Sequence, residues 1–301
     1  MLSTIGPRGE VQPLLALALE LRELGHEASL CAPPNFKNWI ESFGVRCFPI
    51  GPDLEKLTAA QASGAVPRPS EEQMREAGIQ MVHGQFDVFP EAARGCDLIV
   101  GGGALAIATR SVADSLGISY VFVAYCPVTF PTPEYPPLMN PEWLKMGSAP
   151  ADPSEQPQRF AVAWKEDAKR FNHVFLAVLN ERRTKLGLSE VDDVRRHIFT
   201  DRPWLCSDPT LAPAPSHSDL HVVQSGAWFL RDQSQLPPEL DAFLAKGEPP
   251  VYFGFGSMAG SEQTGAQLIE AARACGFRAV IFAGLGESRV GRLGSGLHLD
   301  R

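Results

Sequence analysis

The stretch Thr4–Pro34, TIGPRGEVQPLLALALELRELGHEASLCAPP, sets the fold class of this chain. It continues a short apolar run, Leu2–Ile5, that reads as a strand, and then turns at Gly6-Pro7-Arg8-Gly9-Glu10. A helix follows over Pro13–Leu24, with proline at its start and Gly25 just past its end, the usual punctuation of a helix. PLLALALELREL is apolar around most of its circumference, so this helix is expected to lie buried against a sheet. Glu27–Ala32 then returns to a β-rich run. Strand, turn, apolar helix and strand in that order are the opening of a parallel sheet covered by helices.

The same alternation continues outward. A short helix over Phe36–Phe43 leads to a strand over Val45–Ile50, and Ser70-Glu-Glu-Gln73 is a capping box opening a long helix that reaches about Ala93. Asp97–Gly101 reads as a strand, Gly101–Gly103 as a turn, Ala104–Leu116 as a helix and Tyr120–Ala124 as a strand. Nine prolines then fall between Pro127 and Pro157, a texture that suits long functional loops better than a tight connection. Phe160–Leu186 is helical, Trp204–Ser207 and His221–Ser225 are strands, and Gln235–Gly247 is a linker helix. Beyond it come a strand over Pro250–Gly256, a helix over Glu262–Cys275, a strand over Arg278–Ala283 and a glycine-rich tail with weak patterning. The expected fold class is α/β. The 301 residues suit two domains, placed at 1–234 and 235–301.

Charge and composition narrow the partners. With 27 Lys+Arg against 35 Asp+Glu the chain carries a formal charge of −8, which argues against a nucleic-acid partner. The longest apolar runs, Leu98–Thr109 and Ile118–Phe130, are interrupted by Gly or Pro and fall short of the roughly 18 residues of a membrane span. No basic segment precedes an apolar one at the N-terminus, so no secretory signal is expected and the predicted location is the cytoplasm. Cys31, Cys47, Cys96, Cys126, Cys206 and Cys275 are widely spaced and read as reduced core cysteines, not a zinc site or a disulfide framework. His26, His83, His173, His217 and His221 show no metal-site spacing, so no metal is expected.

Three turns sit where parallel sheets hold ligands, between a strand's carboxyl end and a helix's amino end. Gly6–Glu10 offers glycines for close backbone approach, the fixed fork of Arg8 and the carboxylate of Glu10. Two readings are open for Glu10, a site group or a residue that merely favours the positive end of the next helix. Gly101–Ala106 formally matches the dinucleotide fingerprint, although no acidic residue ends the following strand; its plainer reading is a packing turn. Gly254-Phe-Gly256-Ser257 could present backbone N–H groups and a hydroxyl to a diphosphate, or be an ordinary strand-to-helix turn. Tyr125, Phe130, Tyr135, Trp143 and Trp164 gather in and just after the proline-rich block, where they either pack beneath the loops or line an apolar cleft for a large flat ligand.

Taken together, TIGPRGEVQPLLALALELRELGHEASLCAPP, RSVADSLGISYVF, the YPP of Tyr135–Pro137, TDRPWLCSDPTLAP, QSGAWFL and PPVYFGFGSM resemble the nucleotide-sugar glycosyltransferases that act on glycopeptide antibiotics and their sterol glucosyltransferase relatives. The resemblance runs over nearly all of residues 1–283. It implies two Rossmann-like domains facing across a cleft, the GT-B arrangement, with residues 1–234 binding the acceptor and 235–301 beginning the nucleotide-sugar domain. It implies inverting transfer of a hexose from a UDP- or dTDP-sugar to a hydroxyl of a lipophilic acceptor, a natural-product aglycone or a sterol-like molecule, with no cofactor and no metal. In that family the opening turn is close to G-S-R-G-D-x-x-P, and its Asp is the base. The matching residue here is Glu10, one methylene longer, and Pro7 replaces the family's Ser. Arg8, Gly9, Gly256 and Ser257 fall to the donor, and Tyr125, Phe130 and Tyr135 to the acceptor. The family's H-x-G-G-x-G-T segment, which carries most nucleotide contacts, is absent before Arg301, so the second domain is expected to be incomplete, with too few elements for its own core and one exposed sheet edge. That absence leaves a second reading, a non-catalytic acceptor-binding helper. An NAD-dependent oxidoreductase using Gly101–Ala106 is a third.

Overall fold

Seven parallel strands carry the first three quarters of the chain in the computed structural model, which describes residues 1–57, 69–137, 153–231, 235–254, 262–282 and 297–300. They are β1 (Leu2–Thr4), β2 (Ser29–Ala32), β3 (Arg46–Pro49), β4 (Leu98–Gly102), β5 (Ser119–Ala124), β6 (Trp204–Leu205) and β7 (Val223–Gln224), in the order β3-β2-β1-β4-β5-β6-β7. Every neighbouring pair is parallel. Helices α1 (Arg8–Glu23) and α2 (Lys37–Ser42) cover one face; α3 (Glu71–Ala92), α4 (Thr109–Leu116), α5 (Gln156–Lys185) and α6 (Val194–Phe199) cover the other.

Strand alternation supplies both faces of the sheet. Leu2, Leu30, Val100 and Val123 bury against Leu14, Leu15 and Ala18 of α1 and Ile40 of α2. Cys31, Ile99, Phe122 and Leu205 bury against Phe86 and Phe89 of α3, Val112 of α4, Leu179 of α5 and Ile198 of α6. Each fully buried Leu or Phe stabilises the fold by roughly 1.5–3 kcal/mol. The capping box of α3 forms as expected: Gln73 N donates to Ser70 Oγ at 3.2 Å, and Ser70 N donates to Gln73 Oε1 at 2.9 Å.

The helix boundaries correct the sequence reading in three places. First, α1 begins at Arg8, not Pro13, because Glu10 N and Val11 N both bond to Pro7 O at 2.9 and 3.2 Å. Pro13 therefore lies inside the helix, close enough to its start that the lost bond costs only the carbonyl of exposed Gly9. Second, α4 begins at Thr109, not Ala104. Third, α6 was not anticipated; Asp193 caps it by accepting from Arg196 N at 2.8 Å.

Buried charges stitch the helical face of α4, α5 and α6. Arg183 donates to Ser111 Oγ at 2.9 Å and to Asp114 Oδ2 at 3.0 Å, and His197 Nε2 lies 3.0 Å from Ser111 Oγ. Burial, with help from Arg183 and Arg110, pulls the His197 imidazole down to about 3, so it stays neutral at ordinary pH. Asp167 is fully buried between Arg170 at 2.6 Å and Arg195 at 2.5 Å.

The chain divides into two compact units, Met1–Pro52 with Pro69–Leu230 and Asp53–Arg68 with Arg231–Arg301. The second holds α7 (Pro238–Leu244), β8 (Val251–Gly254), α8 (Glu262–Ala274), β9 (Ala279–Phe282) and β10 (Leu297–Asp300). β8 pairs parallel with β9, and β10 pairs antiparallel with its other edge, Leu297 opposite Phe282. β10 departs from the weakly patterned tail expected there and pairs the β9 edge. A small core of Ala272, Ala279 and Ile281 packs with Phe253, Leu268 and Ile269.

The described cysteines also differ from expectation. Cys31, Cys47 and Cys206 are buried, but Cys126 and Cys275 are exposed, Cys126 just past β5 and Cys275 just past α8. Among the described residues no helix is long and apolar enough to cross a membrane, and no group of three or more His, Cys, Asp or Glu could hold a metal ion.

Candidate functional site

After β1 the chain crosses to β2, and after β3 it returns on the other side of β1 to form β4. The helices that follow β1 and β4 therefore leave on opposite faces, and a crevice opens at the carboxyl ends of these two strands. Thr4 ends β1 and Gly102 ends β4, and the two are register partners. Glu10, in the first turn of α1, points its carboxyl group back into this crevice.

The crevice is shaped by missing side chains. A methyl group added at Gly6 would stand 2.9 Å from Glu10 Oε1 and closer still to Cδ and Oε2. One added at Gly103, where φ is +76°, would stand 2.9 Å from Cδ and 3.3 Å from Oε1. The carboxyl group thus lies between two glycines, one after each strand. Thr4 Oγ1 donates to Glu10 Oε2 at 2.8 Å. Burial pushes the Glu10 carboxyl up to about 7, with the Thr4 hydrogen bond acting in the opposite sense. A helix amino end would favour the charged form by roughly 0.3–1 kcal/mol, so here desolvation wins. Glu10 is half-buried, and a carboxyl with its affinity raised to about 7 can exchange a proton near neutrality.

Each of the three glycines of Gly101–Gly103 makes room for neighbouring side chains. A methyl at Gly101 would meet Thr109 Oγ1 at 2.8 Å and the ring of Tyr120 at 3.0 Å. One at Gly102 would meet Leu14 Cδ1 at 3.1 Å and Tyr125 Cζ at 3.3 Å, and Gly103 makes room for Glu10. Because α4 starts only at Thr109, no helix amino end follows this turn directly, and the context of a dinucleotide fingerprint is missing. The packing-turn reading holds, with Glu10 among the groups packed.

The remaining expected residues separate. Arg8 and Gly9 stand with Glu10 in the first turn of α1. Arg8 Nε donates to Gln12 Oε1 at 2.9 Å, and its guanidinium lies 4.7 Å from the Trp39 ring centre. At Gly9 an added methyl would meet nothing within 4 Å, so its Cβ position is open. Tyr125 packs on the α1 side of the sheet, over Gly102. Phe130, expected at the acceptor, is instead fully buried, with its ring 5.9 Å from Phe199 and 6.3 Å from Phe122. An aromatic residue after a strand can serve the core or a cleft, and these two rings take Phe130 into the core. The Tyr135 carbonyl accepts from Trp164 Nε1 at 2.9 Å. Gly256, Ser257 and Trp143 lie outside the described residues. Thr4 and Gly103 were not foreseen as parts of the site. Their signal is positional, since both sit at the carboxyl end of adjacent strands.

A separate depression of about 460 Å³, lined by Tyr120, Thr200, Arg202 and Trp204 among others, lies at the amino ends of β5, β6 and β7, away from this crevice.

Comparison with known proteins gives the arrangement its context. Residues 1–100 match the glycosyltransferase family 28 N-terminal domain. The chain is 41% identical over 288 residues to the glycosyltransferase GtfC of Amycolatopsis orientalis, an alignment covering 94% of this chain and 67% of that protein. It is 38% identical over 288 residues to the vancomycin aglycone glucosyltransferase of the same organism, with 94% and 67% covered. Among solved structures, the glycotransferase of kitacinnamycin superposes with a TM-score of 0.59 at 16% identity, over 97% of this chain and 67% of that one. At that identity the likeness is one of fold, and the fold is that of GT-B glycosyltransferases.

Proposed function

This chain belongs to the glycosyltransferases of the glycopeptide-antibiotic type, and from that premise we propose that it transfers a hexose from a UDP- or dTDP-sugar to a hydroxyl group of a lipophilic acceptor, with inversion. One observation carries the assignment of the base. Glu10 is a half-buried carboxyl, hydrogen-bonded by Thr4, whose proton affinity is raised to near neutrality at the carboxyl ends of β1 and β4.

In the proposed step the acceptor oxygen attacks the anomeric carbon and forms the new glycosidic bond. The bond from that carbon to the diphosphate oxygen breaks, and the nucleoside diphosphate leaves with the electron pair. The acceptor's proton passes to the Glu10 carboxylate. A base with an affinity near working pH takes that proton more effectively than an ordinary glutamate would. Residues 1–234 take the acceptor, with Tyr125 and Tyr135 on its side; residues 235–301 contribute to the donor side. The donor's diphosphate is assigned to Arg8, Gly9, Gly256 and Ser257; at Gly9 an added methyl would meet nothing within 4 Å, which suits close approach of such a group. The reaction needs no metal and no cofactor, and its place is the cytoplasm, in the biosynthesis of a secondary metabolite.

The test uses this chain with UDP-glucose and dTDP-glucose and a panel of aglycone and sterol acceptors, with products read by mass spectrometry. Glu10→Ala is expected to abolish product while leaving calorimetric donor binding intact. Turnover within a few-fold of the parent after Glu10→Ala would overturn the assignment of the base.

A further inference from the structure

Tyr125 presents a buried phenol oxygen that has no hydrogen-bond partner among the described residues. An unmet buried hydroxyl is costly enough to call for an explanation. Its position supplies one. The ring packs over Gly102, against Leu14 of α1. Gly102 and Thr4 are register partners on adjacent strands and face the same side of the sheet, so their side-chain positions lie about 5 Å apart. The Tyr125 hydroxyl therefore stands beside the Thr4 side chain, whose own hydroxyl is, among the described residues, the side-chain donor on the Glu10 carboxyl. Burial pushes the phenol well above its usual range, and the nearby Glu10 charge pushes the same way, so Tyr125 keeps its proton and remains a donor. Two unmet demands thus lie side by side: a donor without an acceptor, and a half-buried carboxyl with a single hydrogen bond.

We infer that Tyr125 is a positioning residue for Glu10, its hydroxyl turning onto the carboxylate, directly or through Thr4 Oγ1, when Glu10 carries charge. The inference rests on the reading of Glu10 as the base, and deepens it. With Glu10 protonated, the phenol has nothing strongly accepting to face. With Glu10 ionised, a second donor favours the charged form, holds the carboxylate toward the crevice and keeps its proton affinity from rising further. The groups acting on the pair are few. Burial and Thr4 account for Glu10, and among the described residues Cys206 is the other titratable neighbour acting on Tyr125. Arg8, on the same helix as Glu10, is turned to Gln12 and Trp39.

The test reads the carboxyl itself and does not depend on turnover. The chain is labelled with carboxyl-¹³C glutamate, the Glu10 signal is identified by its loss in Glu10→Gln, and its titration is followed by NMR. In Tyr125→Phe the Glu10 midpoint is expected to rise by about one pH unit, the size of a lost charge-assisted hydrogen bond, at unchanged thermal stability below pH 6. An unchanged midpoint in folded Tyr125→Phe overturns the inference. If that variant does not fold, the parent chain carrying 3-fluorotyrosine answers instead. The ¹⁹F signal of Tyr125 should titrate with Glu10 and stop doing so in Glu10→Gln; a signal flat across that range overturns the inference. An inactive Glu10→Ala leaves the inference standing only if these titrations agree, and an active one removes the base assignment without touching them.

Discussion

Gly6→Ala perturbs the site first at the Glu10 carboxyl, whose atoms are the three nearest to the new methyl. Gly6 does not occupy the left-handed region, so alanine fits its backbone without strain, unlike alanine at Gly103. The new methyl carbon would stand 2.9 Å from Oε1 and nearer to Cδ and Oε2, whereas ordinary contact begins at about 3.5 Å. The carboxyl group must therefore withdraw by about 1 Å, and a displacement of that size at a catalytic group costs on the order of 100-fold in rate. That corresponds to about 2.7 kcal/mol of transition-state stabilisation, expected in kcat with donor KM little changed. Glu10→Asp retracts the carboxyl by about 1.5 Å, one carbon–carbon bond, and vacates the space the methyl would fill. Either change alone should slow transfer. Because Asp relieves the clash, the double variant should recover rate relative to Gly6→Ala, so that the two losses do not add. Initial rates of glycoside formation by the parent, both single variants and the double variant measure this cycle. Losses that add to within about 0.5 kcal/mol, in folded proteins, would refute the idea that the glycine pocket positions this carboxyl.

Three further outcomes follow from the same structure. His197 is held neutral far below its unfolded affinity, so the unfolded chain binds the extra proton first; stability is complete above pH 6.5 and falls as pH drops toward 3, by about 1.4 kcal/mol for each unit. Urea unfolding of His197→Gln should lose that acid-side slope. Ser70→Ala removes the oxygen that caps α3 and should destabilise the first unit by about 1 kcal/mol in the same assay. Thr200, with φ 62° and ψ −175°, occupies a region that suits glycine, so Thr200→Gly should raise the unfolding free energy measured in urea by about 1–3 kcal/mol, less whatever its bond to Arg202 N contributes.

Much of the scaffold could be read from local pattern. The buried helix after the first strand, the capping box at Ser70 and the apolar strands around Val100 and Val123 all declare themselves within a few residues. Glu10 was legible as a candidate because its turn carries glycines, a cation and a carboxylate together. What could not be read is what meets what. Gly101, Gly102 and Gly103 look like a ligand-binding turn because three absent side chains are compatible with any close approach. The groups that approach are Tyr120, Tyr125 and Glu10, brought there by strand register, which a local window does not contain. Phe130 failed for the same reason, since its partners Phe122 and Phe199 come from different elements. The start of α1 was misplaced because Pro13 was read as an entrance, whereas burial of Val11, Leu14 and Leu15 carries the helix through it.

The pairing of β1 with β4 also bears on how the protein reaches its active form. Thr4 and Gly102 are almost a hundred positions apart in the chain, and contacts between distant segments form only after the entropy of a long loop has been surrendered. Glu10 and Thr4 are local partners and can meet early. Gly103 and Tyr125 arrive only when β4 and β5 have docked. Until then the carboxyl remains an ordinary hydrated glutamate with an ordinary proton affinity. Its altered titration is therefore a clock for folding: in a refolding experiment followed by the Glu10 signal, the shift toward neutrality marks the moment the central strands close, later than the appearance of helix.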